Sequence, residues 1–256
     1  MAIKLGRVSK LVGYPVKSMA GTPMESAFLD WHGLLGDRRF AFCRPDSNSG
    51  SPWLTASRLP QLILYQPCGL EKSSDKPQPT HILTPSGDYF ELLSEELNRE
   101  VSDRFGRRVE MMHLQHGIFD DATGSVISSA TVAHLCHEGG VGIDSRRFRA
   151  NIVLDGGEEG TFAEDNWVGS TLVFGKEESG PAVYVTKRNE RCVIINLDPE
   201  TGEQAPRVLK AAVQLNDNNG GVYGTVVRTG RIQIHDPVTL CQSARLPLHA
   251  NSLPFS

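Results

Sequence analysis

The chain has 256 residues, with 26 Lys and Arg against 30 Asp and Glu and a formal net charge of −4. That balance excludes a protein whose whole surface binds nucleic acid, while leaving room for a local basic pocket. Five scattered cysteines (Cys43, Cys68, Cys136, Cys192 and Cys241) form neither a CxxC pair nor a spaced ligand set, which argues against a zinc site and a disulfide framework and suits a reducing compartment.

The N-terminal text MAIKLGRVSKLVGYPVKS has charges every few residues, unlike a signal peptide. No segment approaches the roughly 20 apolar residues of a membrane span, so a cytoplasmic location without a membrane span is expected. Val8 to Tyr14 reads as a strand closed by Pro15, and Phe40 and Phe42 follow the turn signals Gly33 and Gly36. Gln61 to Gln66 (QLILYQ) and Thr80 to Pro85 (THILTP) are short apolar runs with strand punctuation. Leu93, Leu97, Val101 and Phe105 recur every four residues, predicting a helix that Ser94 caps and Gly106 stops.

A second helix is predicted over SSATVAHLCHEGG, with Val132, Leu135 and Cys136 on its apolar face and Ser128 or Ser129 as its cap. Cys136 reads as core, as buried free cysteine usually does. Strand runs follow at 151–154, 171–174, 183–186, 192–197, 224–228 and 231–235, the last two separated by Thr229-Gly230 as a hairpin candidate. Residues 45–52 and 73–79 read as polar surface loops. Many short strands with few helices predict a mainly β (α+β) architecture of barrel type, with a domain boundary within 88–110.

Several stretches put anion-binding or reactive side chains next to turns. In KRNERCVIINLDPETG, Cys192 follows Lys187, Arg188 and Arg191 and precedes an apolar run. Cations favour the thiolate, the form that attacks electrophiles and binds metals; the plainer reading is a half-buried strand cysteine. YPVKS places Lys17 and Ser18 after a strand-breaking Pro15, and GLLGDRRF places Arg38 and Arg39 after a glycine turn. SSAT stands at a predicted helix start, where backbone N–H groups favour anions. FRANIV brings Arg149 and Asn151 to the mouth of a strand. Taken singly, each is an ordinary surface charge or helix cap.

Taken in order, YPVKS, GDRRF and WLTASRLPQL, then DATGSVISSAT, FRANIVLDG, FAEDNW, RCVIINLDPETG and GRIQIHDPV, resemble the MOSC-domain proteins over residues 6 to 240 or so. The likeness is strongest to the mitochondrial amidoxime-reducing component and its bacterial relatives. It implies an N-terminal β-barrel-like domain over 1–95 and a MOSC β-barrel domain over 96–256. It also implies a molybdenum cofactor (Mo-molybdopterin) in the cleft between them, with Cys192 as metal ligand and catalytic residue. By the same resemblance Lys17, Ser18, Arg38, Ser128, Arg149, Asn151 and Arg191 contact the cofactor's phosphate and pterin. Arg39 stands in for Arg38, and Ser129 for Ser128, if the alignment slips by one residue.

The implied activity is reduction of a small N-hydroxylated substrate by oxygen-atom transfer to molybdenum, with electrons from a separate donor protein or flavin reductase. Family members often read PCSRC where this chain reads RNERC, so the loop offers no second thiolate, and Glu190 replaces a small residue there. Cys241 is the last cysteine and the chain ends at SLPFS, so no iron–sulfur cluster is expected in this chain. Two other readings compete: a cofactor carrier or sulfur-transfer module using Cys192 as a sulfur-carrying nucleophile, and a module for some other phosphorylated ligand. Asp198 is weighed as a proton relay and as a turn residue, the latter preferred.

Overall fold

Strand β1 (Ala2–Gly13) turns Leu5, Val8 and Leu11 inward, at a spacing of three rather than two. Register shifts between Lys4 and Gly6 and between Val8 and Lys10 account for the spacing, because each bulge adds a residue and re-aims the side chains. Gly6 (φ +117°) is required here, since a Cβ would lie 2.3 Å from the carbonyl oxygens of Asp155 and Gly156. The computed structural model describes residues 2–47, 51–70, 78–120, 122–156, 160–176 and 179–242.

After β1 come β2 (Thr22–Met24), β3 (Ser26–Asp30), β4 (Gly33–Leu34), β5 (Phe40–Cys43), β6 (Gln66–Leu70), β7 (Pro79–Leu83) and β8 (Tyr89–Glu91). Helix α1 (Glu95–Phe105) leads to β9 (Glu110–His113) and β10 (Gly124–Ser128), then α2 (Ser129–Glu138) to β11 (Ile152–Asp155). The remainder is β12 (Ser170–Phe174), β13 (Ala182–Glu190), α3 (Arg207–Asn216), β14 (Asn219–Arg228), β15 (Gly230–Gln233) and β16 (Pro237–Gln242).

Seven strands close a barrel in the order β1, β11, β10, β14, β13, β12, β16 and back to β1. All pairs are antiparallel except β10–β11, whose parallel pairing follows from the helical crossover α2 between them. Among the described residues the architecture is mainly β with three α-helices, in keeping with the expected mainly β fold with few helices. Strands pair across the expected division at residues 95 and 96: β1 completes the barrel made by the later strands, and β5 pairs with β9.

The barrel interior is filled by Val8, Leu11, Leu172, Phe174, Val185 and Val222 among others. A second core, built on Phe40, Phe42, Tyr65, Ile82 and Leu97, lies beside it. A third joins α2 and α3 to the barrel wall through Leu135, Cys136, Phe148 and Val208. Each fully buried side chain of this size contributes roughly 1.5–3 kcal/mol, so the loops between these cores hang from rigid supports. Among the described residues no helix is long and apolar enough to cross a membrane.

Several expectations need correction. Pro60–Leu64 and Val193–Asn196 are 3-10 turns, not strands; short apolar runs carry too little periodicity to separate the two. β14 and β15 form no hairpin across Thr229-Gly230, because β14 pairs with β10 and β13 while β15 pairs with β3. Helix α3 was not foreseen. Residues 48–50 and 73–77 of the expected loops lie outside the described residues, as does SLPFS.

Candidate functional site

Three segments far apart in the chain converge on one polar cluster. Arg38, 7% exposed, follows the β4 turn; its Nη1 donates to Asn151 Oδ1 at 3.2 Å and to Asp37 Oδ2. Its Nη2 donates to the Arg149 carbonyl at 3.0 Å, and its Nε meets Asp120 Oδ2 at 2.5 Å. Asn151, 2% exposed, is the hub: its Nδ2 donates to Val12 O (3.2 Å) and Asp37 Oδ1 (3.0 Å), and its Oδ1 also accepts from the Ser125 N–H and hydroxyl. Lys17 Nζ donates to the Phe119 carbonyl at 2.9 Å and stands 3.8 Å from Asp120.

Tyr14 lies between two guanidinium groups, with Arg38 4.9 Å and Arg149 4.3 Å from its ring centroid. Burial holds its phenol above the ordinary range, so the ring is neutral and attracts both cations through its π face. Burial opposes the charge on Arg38, but Asp37 and Asp120 outweigh it and hold the group above its usual value. Arg149 and Arg191 are shifted the other way: burial lowers both. No described carboxylate lies within ion-pair distance of either. Among the described residues four cations, Lys17, Arg38, Arg149 and Arg191, therefore face two carboxylates, Asp37 and Asp120, an excess of two positive charges.

Ser18, Arg38 and Arg149 all have left-handed backbone, at φ 69°, 46° and 51°. For residues with a Cβ this conformation costs on the order of 1–3 kcal/mol and persists only where surroundings over-determine it, as at ligand sites. Ser18 is buried in the loop that carries Lys17.

Arg191 joins the cluster from β13. Its Nη2 donates to the carbonyl of Phe148, the residue before Arg149, and its Nε is buried with no hydrogen-bond partner among the described residues. The next residue, Cys192, is exposed. The turn that follows it reaches into two cores, Ile194 and Leu197 into the second and Ile195 into the third, so the backbone under the thiol is fixed. Cys192 opens into a cleft of about 710 Å³ with Lys187, Glu190, Arg191, Asn219 and Tyr223 on its walls. Lys187 Nζ lies 5.5 Å from the Tyr223 ring, while Arg188 is tied to Asp165 at 3.0 Å. A separate cavity of about 730 Å³ lies between the segments 20–23, 63–67 and 83–87 and the segment 194–200, with Tyr14 and Arg149 on its wall.

Ser128 is not brought to this cluster. It stands three residues beyond Ser125 on β10, about 10 Å along the strand, and its hydroxyl caps α2 (Thr131 N–H, 3.1 Å) while donating to Glu164 at 2.9 Å. Ser129 bonds Asp155 instead. Arg39 points away as well, donating to the carbonyls of Leu114 and Gln115. Asp198 is a turn residue: Oδ1 accepts the N–H groups of Glu200 and Thr201, and Oδ2 pairs with Arg147 at 2.6 Å. The sequence reading missed Tyr14, Asp37, Asp120 and Ser125. Of these only Asp37 had a local signal, lying next to Arg38 in GDRRF.

The residues fit an anionic, metal-bearing group. The excess charge matches a phosphate dianion, the Asp120 carboxylate already occupies the anion position between Lys17 and Arg38, and Cys192 presents a soft sulfur donor. Residues 5–101 match the family described as MOSC N-terminal beta barrel domain, and residues 113–239 match the MOSC domain family. No curated protein matches the chain. Among solved structures, the YUAD protein from Bacillus subtilis is similar over 95% of this chain and 98% of its own, at 14% identity and TM-score 0.51. YiiM from Geobacillus stearothermophilus covers 46% of this chain and 54% of its own at 22% identity and TM-score 0.36. YiiM from Escherichia coli covers 51% and 59% at 14% identity and TM-score 0.34.

Proposed function

Because the chain belongs to the MOSC-domain proteins, a family linked to the molybdenum cofactor, we propose that it binds this cofactor and reduces small N-hydroxylated molecules. The observation that carries the reading is the excess of two positive charges among the described residues, gathered from four stretches of the chain and continuous through Phe148 with the exposed Cys192. Lys17, Ser18 and Arg38 hold the phosphate in this account. Lys17 acts as a point charge and Arg38 as a planar fork of donors.

Arg149 and Asn151 support the middle of the cofactor, and Arg191 supplies positive charge beside the metal ligand Cys192. When bound, the cofactor supplies two-electron oxygen-atom exchange with the substrate; the electrons come from a separate donor protein or flavin reductase. The chain's own part is positional. The Arg191 N–H, bonded to Asn218 O at 2.7 Å, fixes the residue before the thiol. Lys187, Tyr223 and Glu190 form the substrate-facing rim, and Glu190 disfavours anionic substrates there.

The test is molybdenum content of wild type and Cys192→Ser from a cofactor-competent host, together with turnover of an amidoxime. Stoichiometric metal in the wild type, altered or lost in the variant, and turnover by the wild type alone are expected. Metal without turnover would favour the carrier or sulfur-transfer reading, and absence of metal in both would overturn cofactor binding.

A further inference from the structure

Arg38 has five N–H donors, and four are committed: two from Nη1 to Asp37 and Asn151, one from Nη2 to the Arg149 carbonyl, and Nε–H to Asp120. A phosphate needs two parallel donors for bidentate recognition. The bonds to Asp37, Asn151 and Arg149 lie in the buried part of the cluster and hold the guanidinium in place. The edge left for a ligand is therefore Nε with the remaining Nη2 hydrogen, and Asp120 covers it. The same dipeptide also occupies Lys17, through the Phe119 carbonyl at 2.9 Å and the Asp120 carboxylate at 3.8 Å.

Asp120 differs from Asp37 in its exposure. The Asp37 side chain is 1% exposed and receives the Tyr14 N–H and Asn151 Nδ2 in addition to Arg38. The Asp120 side chain is 20% exposed. Phe119 and Thr123 are both anchored: Phe119 N–H donates to Arg38 O at 2.8 Å, and Thr123 Oγ1 donates to Gly224 O at 3.0 Å. Gly33 packs so closely under Thr123 that a Cβ there would lie 1.8 Å from its carbonyl oxygen. Rotation of the Asp120 side chain toward solvent thus uncovers the cations while Phe119 and Thr123 stay in place.

We propose that Asp120 is a built-in competitor that sets the charge of the ligand this site accepts: a phosphate dianion displaces the carboxylate, whereas a monoanion does not. The proposal rests on the anion-site reading of Lys17 and Arg38. Replacing one negative charge with another of equal size gains little, because the cations lose as much as they recover; a second charge on the incoming ligand supplies the difference. A site whose open form is only fractionally populated binds more weakly by that fraction. Neutralising Asp120 therefore raises affinity and removes the discrimination together.

The test is calorimetric titration of the full chain with inorganic phosphate, and separately with acetate, at pH 8, for wild type and Asp120→Asn. Expected are phosphate binding about tenfold tighter in the variant, if Asp120 holds the cations nine-tenths of the time, and acetate binding in the variant but not in the wild type. Equal or weaker phosphate binding by the variant would overturn the role of Asp120 while leaving the anion site standing. No phosphate binding by either protein would overturn both. If the variant does not fold, the carboxyl carbon resonance of Asp120 in labelled wild type decides: it moves on phosphate saturation if the carboxylate is displaced, and an unmoved signal at saturation refutes the proposal.

Discussion

At the Arg38 end of the candidate site four of the five guanidinium donors are committed, three residues are held in left-handed backbone, and the central amide of Asn151 is almost fully buried. At the Cys192 end the thiol is exposed, its neighbour Val193 is 49% exposed, and only the turn beneath is anchored in the cores. The first end can discriminate by charge and donor geometry, because its guanidinium and amide are buried and fixed. The second can discriminate only by access and by the character of its rim. Changes at the rim therefore alter what approaches the thiol while leaving the anchoring end intact.

The largest expected effect falls on the buried end. Arg38→Ala takes the cationic partner from buried Asp37, leaving it only the Tyr14 N–H and Asn151 Nδ2, which costs about 3–5 kcal/mol, and molybdenum content falls with it. Urea unfolding measures the first and elemental analysis the second; a loss below about 1 kcal/mol would mean that the cluster is less tightly determined than its bonding implies. Asn151→Ala comes next. It strips acceptors from Ser125 and Arg38 and a donor from Asp37, an expected loss of about 1–3 kcal/mol.

The Ser128 corner, which belongs to neither end, gives a pH-dependent effect. Glu164 is 0% exposed, and burial raises its carboxyl above the usual range against the hydrogen bonds from Thr131 and Ser128. A carboxyl whose folded pKa is raised contributes stability that is complete below its unfolded value, about 4.3, and is lost as pH rises through the folded one. Glu164→Gln removes that slope. Thermal midpoints of the two proteins from pH 4 to 8 should move in the variant's favour as pH rises; a constant difference would contradict the shift.

What was legible in the sequence was local. Ser94 and Gly106 bracket α1 as the pattern requires, with Ser94 accepting the Leu97 N–H and Gly106 at φ 76°. Strand content followed from β-branched runs. Helix α3 escaped because its start at Pro206 has no side-chain cap and its buried face is Val208, Ala211 and Ala212, a weak apolar signal. Ser128 was nominated by a helix-start argument, and in the structure its hydroxyl serves as that cap, which is the physical reason it is not with Arg38. The partners of the cluster were invisible for another reason. Arg38 meets Asn151 across 113 residues and Lys17 meets Phe119 across 102, and no window along the chain spans such contacts.

The smallest expected effect on stability is at the other end. Cys192→Ser replaces an exposed thiol by a hydroxyl of similar shape, and Cys192 itself makes no side-chain cap to the turn. Unfolding free energy should stay within about 0.5 kcal/mol of wild type, with an unchanged circular-dichroism spectrum, while metal binding is altered. Arg38→Ala should lose stability and metal together, Cys192→Ser metal alone. If Cys192→Ser destabilises the protein by as much as Asn151→Ala does, the thiol is part of the fold's own support, and the contrast between a fixed anchoring end and an accessible reactive end fails.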